Sequence, residues 1–400
     1  MPKKLISVLV SLLLLLAPVT ACGTTPTENI KIGAVMDLSG ALAGIGGQLR
    51  DSIVLAVKQV NDAGGINGAQ VELIVEDGKT DPTAGFEAVK KLVEVNGINV
   101  IIGPMISGAS LASGPYALQN EVLLFSPSAT SPDIADQDWR QFFLRTAPTD
   151  ILQGKAIAQL VMEGGYQKVA ILVMDNQYGV GVAHAVAEEL SEKAEVVSRS
   201  AVSLMGKHLI VANLKYDPSK LDYRTELQVI KDNNPDAVIH VGYHDDAQIV
   251  YKQALQLGLD DIQWVTAEGT YAEAVLEVTE AAQFMAAAVI GTRLSAPEGL
   301  AAFEEYATAY EVEFGKPPGV YCDTVYDATK MVLKAIEGVG ADDTAKIAAK
   351  VLKIADNYPG TSGSITLSAN GDRVSGDFEV WKVIKDGDTY RFERVKVISL

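Results

Sequence analysis

The sequence predicts an α/β protein built from two tandem units of parallel sheet wound with helices. Three observations predict it. From Ile30 onward, short runs of β-branched residues alternate with longer amphipathic stretches. Several of the short runs (NVIIG, VLLF, VAILVMD, AVIHVGY) are apolar throughout, as strands buried on both faces must be. The rhythm then restarts after FFLRTAPTD.

In order, IKIGAVMD reads as a strand, QLRDSIVLAVKQVNDAGG as a helix, VELIVED as a strand, PTAGFEAVKKLVEVNG as a helix and NVIIGP as a strand. Helices stop at NDAGG, VNGIN and GLDD, where Gly or Asn stands just past the last periodic residue. The second unit opens with a helix from about Ile151, then the strand KVAILVMD, a helix from about Tyr178, and the runs EVVSRSAVS, DAVIHVGY and QWVTAE. The C-terminal part changes character: GSITLSANGDRVSGDFEVWKVIKDGDTYRFERVKV reads as short strands joined by Asn-Gly and Asp-Gly turns.

Residues 1–21 have the layout of an export signal: Lys3 and Lys4, an apolar run from Leu5 to Ala17, and a small residue before Cys22. A membrane span needs about 20 apolar residues, so the run is too short for one. VTAC resembles a bacterial lipobox, in which the Cys is acylated and becomes the first mature residue, and residues 22–29 form a polar tether suited to an anchored domain. An ordinary cleaved signal with an incidental Cys22 is the plainer alternative. With Cys22 lipidated, only Cys322 remains and no intrachain disulfide can form, so the fold must rest on its core. The chain is long enough for about two domains, and its 48% hydrophobic content is ample. A net charge of −18 repels phosphate backbones and excludes nucleic acid as a partner. No second long apolar run follows the leader.

In open α/β sheets, ligands sit beyond the carboxyl ends of strands. The first such loop, DLSGALAGIGGQLRD, is Gly-rich but has no Lys-Ser/Thr after its glycines, and Gly44-Ile45-Gly46-Gly47-Gln48-Leu49 lacks the third glycine of a dinucleotide fingerprint. It reads as a flexible loop lining a cleft. Ser107, in MISGASLAS, begins a helix, either as its cap or beside amides free to hold an anion. Ser126, Ser128, Thr130 and Ser131 follow the strand VLLF, in what is either an ordinary turn with Ser131-Pro132-Asp133 starting the next helix or a ligand loop. Glu268, ending the strand of WVTAEGTY, is either a solvated loop residue or a partner for a cation. Together, hydroxyls and helix-terminal amides suit a carboxylate, and a carboxylate with hydroxyl and carbonyl oxygens suits an ammonium. A small zwitterion fits both ends.

Enzyme readings are weaker. His240 and His244 with Asp245 and Asp246 hint at a metal cluster, but DAVIHVGY reads as strand, where that histidine spacing does not converge. There is no Gly-x-Ser-x-Gly elbow and no recognisable nucleophile-base pair. Cys322 reads as a packing residue on a helix, and Trp139, Trp264 and Trp381 read as core or loop.

Seven segments, IKIGAVMDLSG, VNDAGGINGAQVELIVEDGKTDP, IGPMISGAS, LLFSPSATSPD, FFLRTAPTD, VMDNQYGVG and HVGYHDD, resemble in order and spacing the bacterial periplasmic substrate-binding proteins for branched-chain amino acids, over about Ile30 to Trp381. The resemblance implies the type I periplasmic binding protein fold: α/β, two doubly wound parallel-sheet lobes joined by a three-crossover hinge. Lobe 1 would comprise 30–146 and 295–376, and lobe 2 would comprise 147–294 and 377–400. It implies that Ser107 and Thr130 hold a ligand carboxylate. The Ser128 carbonyl and the Thr130 hydroxyl would take the ammonium, Glu268 would supply the countercharge, and Tyr178 and Tyr243 would close over the ligand. Where relatives often carry an aromatic residue in the first loop, this chain has Ile45, an aliphatic wall suited to Leu, Ile or Val.

The implied role is capture of a free amino acid by hinge closure and delivery to an ABC transporter permease in the membrane. The protein would be a monomer outside the cytoplasm, without cofactor or metal. Rival readings keep the fold but bind an amide, a urea or an aromatic carboxylate, or act as a ligand sensor. Glu268 discriminates among ligands, because one without an ammonium has no use for it.

Overall fold

A computed structural model describes residues 28–191, 203–205, 208–295 and 298–400. The export signal, Cys22 and most of EVVSRSAVS lie outside the described residues. The chain begins with β1 (Ile30–Met36), α1 (Ala43–Asp62), β2 (Val71–Asp77), α2 (Pro82–Glu94), β3 (Val100–Ile102), α3 (Ser107–Gln119), β4 (Leu123–Ser126) and β5 (Phe143–Arg145). These strands form a parallel sheet in the order β2-β1-β3-β4-β5. Successive residues of each strand enter different cores. Ile32, Ala34, Val100, Ile102, Leu123 and Phe125 pack on one face, and Val35, Ile101, Leu124 and Phe143 on the other. Continuous apolar runs are what a two-faced burial demands.

The chain then crosses to a second sheet through α4 (Asp150–Glu163), β6 (Lys168–Met174), α5 (Gln177–Ser191), β7 (Ser203–Met205), β8 (His208–Tyr216), α6 (Arg224–Asn233), β9 (Ala237–Val241), α7 (His244–Gln256), β10 (Gln263–Thr266), α8 (Glu273–Leu276), α9 (Thr279–Ala288) and β11 (Val289–Leu294). It returns to the first lobe with α10 (Ala301–Phe314), α11 (Cys322–Val339), α12 (Thr344–Ile354), β12 (Tyr358–Gly360) and β13 (Gly363–Ile365), and ends in the second with β14 (Asp377–Asp386) and β15 (Thr389–Ser399). The second sheet runs β15-β14-β11-β10-β9-β6-β8-β7, parallel through its centre and antiparallel at both edges.

Three crossovers therefore join the lobes, and they are tied to each other. Pro148 pairs with Arg373 in an isolated bridge, Arg373 Nη1 donates to the Thr146 carbonyl at 3.2 Å, and Ser295 N–H donates to the Asp377 carbonyl at 3.0 Å.

Three local expectations are corrected. The Gly-rich loop after β1 is helical: α1 starts at Ala43, and a Cβ on Gly46 would stand 1.9 Å from the Asp37 carbonyl oxygen, so glycine here permits helix and strand end to touch. Ser107 is not a cap, because Ile106 holds that position and Ser107 is the first helical residue. The Asn370-Gly371 turn closes only the short bridge Leu367–Arg373, whereas Gly387, at φ 61°, turns β14 into β15 across strands of 10 and 11 residues, longer than the sequence pattern implied.

Among the described residues no helix is long and apolar enough to cross a membrane. His240 is fully buried between the hydroxyls of Tyr216 at 3.1 Å and Tyr251 at 3.0 Å. Burial lowers its pKa to about 3, so it stays neutral. Cys322 opens α11 fully buried, and Trp139, Trp264 and Trp381 are all core.

Candidate functional site

Between the lobes lies a small chamber enclosing about 40 Å³. The first lobe contributes Leu42, Ile45, Met105, Ile106, Ser107, Ser128, Val320 and Tyr321, and the second contributes Tyr178, Tyr243, Glu268 and Gly269. A larger outer space of about 620 Å³ adjoins it, sharing Ile106, Ser107, Tyr178 and Tyr243. On the opposite side a space of about 480 Å³ shares Ile45 and Val320. The chamber is thus the waist of the interlobe cleft.

On the first lobe, α3 begins where the extended residue Ile106 cannot cap with its side chain, so the N–H groups of its first turn have no side-chain acceptor from the cap. Ser107 Oγ accepts from Ser131 N–H at 3.2 Å, which ties the helix start to the hydroxyl loop. That loop is braced from several sides. Ser126 Oγ donates to the Pro104 carbonyl at 2.6 Å and Ser128 Oγ to the Met105 carbonyl at 2.9 Å. Arg145, fully buried, donates through Nη1 to the carbonyls of Ala129 and Ser131 and through Nε to Asp372. Ser131 caps a 3₁₀ turn, Pro132–Ile134, so the ordinary-turn reading of this segment also holds.

On the second lobe, the Asn176 side chain accepts from Gly179 N–H at 2.8 Å and starts α5, which sets Tyr178 facing the cleft. Tyr178 stacks on Tyr243, with ring centroids 5.6 Å apart and planes within 8°. Tyr243 is fixed by its own N–H, which donates to Asp246 Oδ1 at 2.9 Å. Glu268 opens a 3₁₀ turn at the end of β10 and is 4% exposed. Its Oε1 accepts from the Tyr321 hydroxyl at 2.9 Å, across the cleft, and its Oε2 accepts from Gln153 Nε2. Burial raises its pKa, while Gln153, Tyr321 and Tyr178 oppose the rise.

Ser107, Ser128, Tyr178, Tyr243, Glu268 and Ile45 are therefore brought to one chamber. Thr130 stands one layer behind: it is buried, its hydroxyl has no hydrogen-bond partner, and its carbonyl accepts from Asp150 N–H at 2.9 Å. Sequence reasoning missed Tyr321, Gln153 and Asp150. Tyr321 reaches Glu268 from 53 residues away, on a backbone at φ 62° that no local pattern announces. Asp150 is the first-turn acid of α4, a position that acids commonly take for reasons unrelated to a ligand. Among the described residues no Lys or Arg lines the chamber, whose formal charge comes from Glu268.

The chain matches the family of periplasmic binding proteins over residues 29–388. A leucine-, isoleucine-, valine-, threonine- and alanine-binding protein of Pseudomonas aeruginosa is 26% identical over 361 residues, covering 90% of this chain and 91% of that one. A leucine binding protein, LivK, from Thermotoga maritima superposes with a TM-score of 0.79 at 25% identity, over 92% of this chain and 98% of that one. A solute binding protein of an ABC transporter from R. palustris, in complex with benzoate, shares the fold with a TM-score of 0.77 at 17% identity, over 93% and 97% of the two chains.

Proposed function

Because the chain belongs to the periplasmic binding proteins, which bind solutes outside the cytoplasm and are not enzymes, we propose that it captures a free aliphatic amino acid in the interlobe chamber and hands it to an ABC importer. One observation carries this reading. A helix start without a side-chain cap, at Ser107, faces a buried acid, Glu268, across a chamber whose other walls are mostly Leu42, Ile45, Met105, Val320 and tyrosines. The N-terminal amides and the Ser107 hydroxyl suit a carboxylate, with the Thr130 hydroxyl behind the wall as a further donor once the lobes close on ligand. Glu268 and the Ser128 carbonyl suit an ammonium, and the aliphatic wall suits a branched side chain.

We take 30–146 with 295–376 and 147–294 with 377–400 as the two lobes that close. Tyr178 and Tyr243 move with Glu268, so closure brings charge and cover together and the ligand stabilises the closed form. The named relatives include binders of leucine, isoleucine and valine, which supports the aliphatic preference. A fold neighbour holding benzoate keeps an aromatic carboxylate in view. The absence of any Lys or Arg lining this chamber, and the presence of Glu268, count against that ligand here. In the same reading the protein is a monomer held at the membrane by lipid on Cys22 after cleavage of 1–21, which mass spectrometry of the mature N-terminus tests.

The experiment is mass spectrometry of ligand carried through a native purification, followed by calorimetric titration of the protein, freed of ligand by unfolding and refolding, with L-leucine, L-isoleucine, L-valine, 4-methylpentanoate and benzoate. Binding of the amino acids without 4-methylpentanoate is expected. Benzoate bound in preference to every amino acid overturns the proposal.

A further inference from the structure

Four buried polar atoms near the chamber have no hydrogen-bond partner among the described residues: the Thr130 hydroxyl, the Tyr178 hydroxyl and both carboxyl oxygens of Asp150. Asp150 is fully buried as the first residue of α4, where the chain has just crossed between lobes. A buried carboxyl that makes no full hydrogen bond, with only the Thr130 hydroxyl and the Arg145 charge near enough to favour its ionised form, is costly to leave unpaired. Glu268, by contrast, has a donor on each oxygen, from Tyr321 and Gln153. Of the two acids, Asp150 is the one with open acceptor capacity.

We propose that Asp150 is a second carboxylate of the ammonium seat and gives up a proton to solvent when the ligand's ammonium arrives. The proposal rests on the amino-acid reading. Several groups face Asp150: Glu268 from the turn after β10, Arg145 from β5, Thr130 from the hydroxyl loop, Tyr178 from α5 and Tyr321 from the start of α11. Burial and the charge of Glu268 hold Asp150 well above the usual carboxylate range, while Thr130 and Arg145 only partly oppose them. Tyr321 and Gln153 donate to Glu268 and favour its charged form, whereas Asp150 has no such pair of donors, so of the two acids Asp150 is the one that holds a proton in the proposal. An ammonium placed beside both acids offers three N–H donors to Glu268, Asp150 and a neighbouring oxygen. The carboxylic acid loses its O–H proton to water, and the resulting carboxylate accepts an ammonium N–H. The outcome is binding that releases a proton and tightens as pH rises.

The test is calorimetric titration with L-leucine at pH 7 in two buffers of different ionisation heat, on the wild-type protein and on Asp150→Asn, with ligand-free melting curves. The wild type is expected to release close to one proton per leucine. Asp150→Asn is expected to release close to none and to bind at least tenfold more weakly, with an unchanged ligand-free melting point, because a neutral amide replaces a neutral acid. Asp37 and Asp246, both raised to about 7, lie near the same cleft, and proton release that survives in Asp150→Asn assigns the effect to them and overturns the proposal. Leucine bound by the wild type without proton exchange also overturns it, and that result stands even if the variant does not fold. If the wild type binds no amino acid, the reading beneath the proposal falls first.

Discussion

Replacing Glu268 by glutamine removes one charge from a group that is 4% exposed and changes almost no volume. Gln153 Nε2 carries only donors, so the new amide must turn its oxygen toward Gln153 and its NH₂ toward the Tyr321 hydroxyl, which can rotate to accept. The Tyr321 O–H then loses Glu268 as its acceptor and turns into the chamber it lines, where solvent can take it in the ligand-free protein, so the free protein is expected to fold. Burial also raises the pKa of Glu268, so relieving that charge leaves ligand-free stability at pH 7 unchanged or higher. Binding is another matter. A hydrogen bond to a charged group contributes about 1.5–3 kcal/mol, and each 1.4 kcal/mol is tenfold, so Glu268→Gln should weaken amino-acid binding by roughly 10- to 150-fold. Titration calorimetry with L-leucine at pH 7.5 measures the loss, and a thermal melt without ligand checks the fold. A folded variant that binds within twofold of the wild type refutes the reasoning. A variant that loses stability and affinity together assigns Glu268 to the architecture rather than to the ligand.

Ile45→Ala should weaken isoleucine and leucine by roughly tenfold while leaving alanine nearly unchanged, since only the longer side chains reach the wall between the chamber and the 480 Å³ space; a ligand panel on the calorimeter reads this out, and equal losses for all three refute it. Arg145→Met leaves the Ala129 and Ser131 carbonyls without their donor and takes one of Asp372's guanidinium partners, at a site of zero exposure, which should cost about 3–5 kcal/mol in urea unfolding. The ligand-free protein should also lose stability as pH rises from about 4 to about 7. Asp37 and Asp246 (about 7) and Asp323 (about 6) keep their protons in the fold up to those values but ionise near 3.8 when unfolded, so the folded state binds more protons across that window and stability falls with pH. A melting temperature that rises between pH 5 and pH 7 contradicts this.

The strands were legible because each carries its evidence locally. Val100, Ile101 and Ile102 are apolar in succession, short, β-branched and bounded by Gly-Ile-Asn and Gly-Pro, the marks of a strand covered on both faces. Glu268 was legible as an oddity, an acid ending a buried-looking strand. Ser107 and Ser128 were legible as part of a chemistry, though the hydroxyl roles differ from a simple cap: Ser107 accepts from Ser131, and Ser128 donates to Met105. The glycines of α1 misled because Gly-rich composition is the usual mark of a loop, whereas Gly46 serves a contact with Asp37 that exists only after folding. Asp150 and Tyr321 carried no signal, since neither differs in its own neighbourhood from a helix-start acid or a core aromatic.

Local pattern was enough for the α/β class, for the two tandem units and for a pair of complementary head-group chemistries, because periodicity and side-chain type are properties of neighbours in the chain. The chamber itself, the cross-cleft bond from Tyr321 to Glu268 and the unpartnered state of Asp150 were decided by the three crossovers. These bring together residues separated by tens to more than a hundred positions, and the burial that raises the pKa of Asp150 and Glu268 is a property of that assembly alone.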